Sequence, residues 1–305
     1  MTKLKKHRKP SMFKKSLLIL LLLITSLVQA EIIEVDSLNK IKQDFKENYN
    51  KNYLLQDLLV VTVLDEFLFK PLLPQGEQIN EEVYSKLAPV LSKIRKNPKA
   101  IYIDQLILTN DSYKKELQES DFPNFVNEIS NSKIPIIAIN KGFTGNFNNI
   151  PKFEIWFADY LKKKFDIDFS NSFPNNNYII LNNLDSFANT YPVFYKGILT
   201  SNNIPEAEMI LKFLIQIRFM PKAFIMISSN TELLKSMEFQ LNSYSSTVLF
   251  IGYHYNNKNT EGNQDSAYYT KTINDLINQM NKIKRNNPPL KTNNAKGKNP
   301  YDKSE

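Results

Sequence analysis

Leu58-Leu59-Val60-Val61-Thr62-Val63-Leu64 is the stretch that decides the fold. It is apolar or β-branched at nearly every position, with no charge. A strand covered on one face alternates apolar with polar residues. A run without alternation suits a strand buried on both faces, as in a parallel sheet with helices above and below. Similar runs follow at 134–139, 224–227 and 247–251, with strand-like segments at 101–108, 178–181 and 193–200. Between them the spacing predicts helices. Leu38, Ile41, Phe45 and Tyr49 recur at helical intervals over 36–53. Further helices are expected over 80–97, 111–131 (interrupted near Pro123), 151–165 (with Trp156 as a core anchor), 205–218, 231–241 and 275–285. Strand and helix alternate at βα spacing, which argues for an α/β, doubly wound, mainly parallel sheet.

The ends read differently from the body. Lys14 and Lys15 precede an apolar run from Leu17 to Ile24, closed by Val28-Gln29-Ala30. A basic start, a short apolar core and a small last residue make a secretory signal peptide over 1–30. An uncleaved anchor is the alternative, but it needs about 20 apolar residues. Met12 begins a more compact signal of the same kind. The chain is therefore expected to be exported, periplasmic or secreted, with no membrane span after cleavage. Of the net charge of +8, residues 1–30 carry +7 and 281–305 carry +5, which leaves the span between them at −4. The basic pI thus belongs to the two ends, and no nucleic-acid partner is expected. Residues 286–305, with Pro288-Pro289 and then Lys, Asn and Gly, read as a disordered basic tail. The domain between is 31–285.

Composition removes whole chemistries. There is no Cys, hence no disulfide, thiol nucleophile, Cys-held zinc or iron–sulfur cluster. His7 falls in the signal segment, so the mature chain keeps only His254, and multi-His metal sites are excluded. His254 itself reads as a hydrogen-bonded structural residue. The chain contains 7 Gly and no G-x-G-x-x-G or G-x-x-x-x-G-K-[ST], which excludes Gly-rich phosphate cradles. Gly142-Phe143-Thr144-Gly145 matches only the bare G-x-x-G of RNA-clamping loops, a weak signal.

Phe224-Ile225-Met226-Ile227-Ser228-Ser229, with the helix that follows, resembles the last motif of haloacid-dehalogenase-superfamily phosphatases, where a strand ends in two Asp. Residues 60–69 resemble the first motif, an apolar strand followed by Asp-x-Asp. Ile136-Ile137-Ala138-Ile139-Asn140 resembles the second, a strand ending in Thr or Ser. Gly197-Ile198-Leu199-Thr200-Ser201 and the helix after it resemble the third, which supplies a Lys. The four occur in family order over 55–255. More narrowly, the chain resembles an uncharacterised family of exported haloacid-dehalogenase-like proteins from intracellular bacteria, an impression to which Ile167-Asp168-Phe169-Ser170 and Phe250-Ile251-Gly252-Tyr253-His254-Tyr255 add. The resemblance implies a Rossmann-like core with a small helical cap inserted over 67–132.

It also implies a catalytic set that this chain lacks. Val63 stands in the nucleophile slot, Asp65 keeps the acid/base slot, and Phe67 replaces the Thr that follows. Asn140 replaces the second-motif Thr, Glu206 falls on the Lys position, and Ser228 and Ser229 replace the metal-binding Asp pair. Valine has no lone pair for attack on phosphorus. Two hydroxyls supply none of the charge Mg²⁺ requires, so no cofactor is expected. A phosphoryl group would meet Asp65 and Glu206 unopposed, a repulsion of about 4 kcal/mol per charge at ~4 Å and a dielectric near 20. Phosphoryl transfer rests on charge stabilisation. The expectation is therefore a catalytically silent member acting as a binding protein for a protein or small molecule. Its candidate pocket is Asp65, Asn140, Ser228 and Ser229, where the loop-end Asn and Ser also suit capping. The alternatives are a phosphohydrolase of weak or atypical activity using Asp65 or a set of residues elsewhere, and an envelope structural component.

Overall fold

The unbroken apolar runs form strands because both of their faces are covered, and the computed structural model shows both covers. It describes residues 31–49, 53–67, 70–72, 105, 108, 109, 114–147, 149–187, 189–256 and 278. In chain order the elements are β1 (Glu31–Val35), α1 (Leu38–Asp44), β2 (Leu58–Val63), β3 (Lys70–Leu72), β4 (Lys114–Glu116), α2 (Phe122–Asn131), β5 (Ile136–Asn140), α3 (Phe153–Phe165), β6 (Tyr178–Ile180), β7 (Val193–Tyr195), β8 (Ile198–Thr200), α4 (Glu206–Gln216), β9 (Ala223–Ser228), α5 (Thr231–Tyr244) and β10 (Leu249–Tyr255). Eight strands make one sheet in the order β1-β10-β9-β2-β5-β8-β7-β6. The six from β1 to β8 in that row run parallel, and β7 is antiparallel to both its neighbours.

Period-two alternation sends the side chains of β2 into two cores. Leu58 and Val60 join Leu38 and Ile41 of α1, Phe122, Phe125 and Ile129 of α2, and Phe153, Phe157 and Leu161 of α3. Leu59, Val61 and Val63 join Met209, Ile210 and Phe213 of α4 and Leu234, Met237 and Leu241 of α5. Among the described residues three helices cover one face and two the other, so the sheet is doubly wound. Lys42 ties α1 to α2, donating to Asp121 Oδ2 at 2.9 Å and Glu128 Oε1 at 3.3 Å.

Several expectations need correction. β1 has no counterpart in the sequence reading: among the described residues Glu31-Ile32-Ile33-Glu34-Val35 is an edge strand paired with β10, and its two acids are exposed. The helix expected over 36–53 ends as an α-helix at Asp44 and continues as a π turn over Phe45–Tyr49. Of the strand expected at 101–108, the two described residues, Gln105 and Leu108, are helical, and the rest of the segment lies outside the described residues. The helix expected over 111–131 is split. Lys114–Glu116 pairs antiparallel with Lys70–Leu72 in a separate two-stranded sheet. The helix starts only at Phe122, with Pro123 in its first turn, where the missing N–H costs nothing. Segment 193–200 is a hairpin, because Lys196 (φ 46°) and Gly197 (φ 83°) turn left-handed and reverse the chain. The strand placed at 247–251 runs instead over Leu249–Tyr255. The segments 80–97 and 286–305 lie outside the described residues, as does 275–285 apart from Asn278, which is helical.

Candidate functional site at the carboxyl edge

Open α/β sheets bind ligands at the carboxyl ends of their strands. Along that edge, the row from β1 to β8 ends in Val35, Tyr255, Ser228, Val63, Asn140 and Thr200, with Glu34 and His254 one residue before the ends of their strands. The four segments singled out by resemblance therefore occupy four adjacent strands, β9, β2, β5 and β8, although their chain order is different.

Within that row the residues divide into buried and open. Val63 is fully buried among the apolar side chains of the α4–α5 layer. Phe67 is also core, stacked on Phe122 with ring centres 5.1 Å apart and tilted against Tyr255 at 4.8 Å. Asp65 has left the strand for a 3-10 turn over Leu64–Glu66 and is solvent-exposed. Its Oδ2 accepts the Lys141 backbone N–H at 3.1 Å. Desolvation by the surrounding protein raises the Asp65 carboxyl above its usual range; Lys141 opposes the shift, and Glu206 adds to it. Water still reaches the side chain and moderates the effect. Glu206 is half-buried at the first turn of α4. The Lys141 ammonium corrects the expectation of unopposed acids: a cation stands beside Asp65 after all.

The polar candidates serve turns and caps. Asn140 is buried; its Oδ1 accepts the Gly142 N–H at 3.0 Å, and its Nδ2 reaches Thr200 Oγ1 at 3.5 Å. Ser228 is buried, and its Oγ accepts the Asn230 N–H at 3.0 Å. Asn230, rather than Ser229, caps α5, its Oδ1 accepting from Leu233 N–H at 3.1 Å. Ser229 is exposed, and its main-chain oxygen accepts from His254 Nε2 at 2.9 Å.

The loop after β5 turns its donors inward. Besides Lys141 and Gly142, Thr144 N–H donates to Asn202 Oδ1 at 3.2 Å and Gly145 N–H to Glu154 Oε2 at 2.9 Å. Gly142, Phe143, Thr144 and Gly145 are all buried, so the G-x-x-G match does not present an open clamp. Glu154, 1 % exposed, is completed by Tyr178, whose hydroxyl donates to Oε1 at 2.8 Å. Asn202 is the knot of this region. Fully buried with φ 48°, it donates from Nδ2 to Thr190 O at 2.8 Å and holds the 187–191 loop against 143–145.

Lys141, Glu154 and Asn202 were not singled out from sequence. Only Asn202-Asn203 carried a signal, since adjacent Asn favour the left-handed turn they make. The Glu34 partner of His254 had none, being 220 residues away in the chain.

Fold and site together define an open, mostly parallel α/β protein with a polar carboxyl edge. The chain belongs to the family described as protein of unknown function (DUF2608), whose profile matches residues 34–291. It is 83 % identical over 294 residues to an uncharacterized protein of Rickettsia felis, covering 96 % of this chain and 100 % of that one. An uncharacterized protein of Rickettsia conorii is 80 % identical over 292 residues, covering 95 % and 99 %. One of Rickettsia bellii is 72 % identical over 293 residues, covering 96 % and 100 %. No solved structure matches the chain. Among the described residues no helix is long and apolar enough to cross a membrane.

Proposed function

We propose that this chain is an exported protein with a haloacid-dehalogenase-like core whose carboxyl edge has lost phosphoryl transfer and serves binding instead. The carrying observation is Val63. The position that would hold the nucleophile is a fully buried valine in the apolar layer. The adjacency of β9, β2, β5 and β8 supports the resemblance that assigns that position. The donor set also does not fit Mg²⁺. Ser228 Oγ already accepts an N–H, neither serine carries charge, and among the described residues no three acids or His converge on a metal-sized site. Export rests on the sequence of residues 1–30, which lie outside the described residues.

One observation favours a weak hydrolase as the second reading. Asp65 is open to solvent and its carboxyl is raised, as suits a proton donor. Turnover of p-nitrophenyl phosphate, measured with Mg²⁺ and with chelator, separates the two. We expect no turnover above the protein-free rate in either condition. Activity that disappears in Asp65→Asn would overturn the silent-site reading.

A further inference from the structure

Three neighbouring strands carry a second constellation on the same edge, one strand beyond Val63. Glu34 and His254 are direct partners across β1 and β10, and His254 and Ser228 are partners across β10 and β9. Both Glu34 carboxylate oxygens lie 2.7 Å from His254 Nδ1, so an acid fixes one side of the ring. The other nitrogen, Nε2, is aimed at Ser229, 2.9 Å from its main-chain oxygen. Ser229 is exposed on the turn between β9 and α5. The helix that starts just beyond supplies donors. Asn230 N–H goes to Ser228 and Leu233 N–H to the Asn230 cap. The Thr231 and Glu232 amides also belong to the first turn, whose N–H groups have no carbonyl of their own helix to meet.

We propose that Ser229, His254 and Glu34 are the nucleophile, general base and orienting acid of an acyl-transfer site for small esters. It goes beyond the silent phosphoryl reading: it shares only Ser229 with it, and uses that residue as a nucleophile rather than in place of a metal ligand. In the resting geometry Nε2 carries a proton and donates it to the Ser229 carbonyl oxygen. Once that proton has passed to solvent, with the Nδ1 proton kept on Glu34, Nε2 turns to accept from the hydroxyl of the same residue. Ser229 Oγ attacks the ester carbonyl carbon while its proton passes to Nε2. The carbonyl electron pair moves onto oxygen, for which we assign the first-turn amides of Thr231 and Glu232 as donors. Collapse expels the alcohol, which takes the proton from Nε2. Water then repeats the sequence on the acyl-serine, releasing the acid and restoring Ser229. Glu34 holds the ring throughout and offsets the imidazolium charge.

A fluorophosphonate probe on the purified chain tests this, with the modified residue located by peptide mass spectrometry. We expect the label on Ser229, its loss in Ser229→Ala, and labelling slowed about a hundredfold or more in His254→Gln. Hydrolysis of p-nitrophenyl acetate should fall in parallel. If His254→Gln melts early, Glu34→Gln provides the same comparison with the ring retained. An unlabelled Ser229 in a folded sample, or a rate unchanged in both variants, would overturn the proposal and leave His254 as a clasp between β1 and the β9–α5 turn. Phosphomonoester turnover is read separately, so that failure would not touch the silent-site reading.

Discussion

Thr62 lies in the middle of β2, fully buried, and its hydroxyl has no hydrogen-bond partner among the described residues. Its neighbours across the sheet are Ala138 and Ile227, neither of which offers a side-chain acceptor. A buried hydroxyl without a partner costs roughly 1–3 kcal/mol, and valine fills nearly the same volume without it. Thr62→Val should therefore stabilise the chain by about 1 kcal/mol, raising Tm by roughly 2–4 °C. A lower Tm in a thermal melt would mean that the hydroxyl has a partner outside the described residues. At this scale the sequence was half legible. The strand ends just before Asp65 and at Asn140 and Ser228 could be read because apolar runs stop there. Which side chains then turn inward could not be read, because Glu154 and Asn202 are oriented by donors from the loop after β5.

Among the elements, the β7–β8 hairpin depends most on a single residue. Gly197 has φ 83°, and a Cβ there would meet the Phe169 carbonyl oxygen at 2.3 Å. Its own carbonyl accepts the Ala138 N–H at 2.9 Å, so the turn cannot shift without disturbing β5. Gly197→Ala adds a left-handed backbone penalty to a clash with main chain. We expect a loss of about 3 kcal/mol or more, a fall of roughly 6–12 °C in Tm. A change within about 2 °C would show that the hairpin relaxes freely. The long, strongly patterned elements β2, β5, α3, α4, β9 and α5 were all visible in the sequence. β1 and the β3–β4 pair were not. Each is short, and each is held by pairing with a strand far away in the chain rather than by its own propensity.

The whole molecule coheres through its two apolar layers. Its ion pairs are mostly on the surface: Lys40–Asp36 has 60 % and 56 % side-chain exposure, and Lys235–Glu232 has 58 % and 82 %. Such pairs contribute little and are screened by salt. The Lys42 tie between α1 and α2, with Lys42 only 13 % exposed, is less open to screening. Raising NaCl from about 0.05 M to about 1 M should move Tm by no more than about 3 °C. A fall beyond about 10 °C would assign cohesion to the ion pairs instead.

The sequence by itself determined the α/β class, the doubly wound arrangement and most strand ends. Those follow from local periodicity and from runs apolar on both faces, which each segment carries alone. Only the tertiary structure decided the strand order that sets β9, β2, β5 and β8 side by side. It alone placed Lys141 beside Asp65 and joined Glu34, His254 and Ser229. Those contacts come from strand pairing across the chain, and no local pattern of residues specifies which distant strand end will stand next to which.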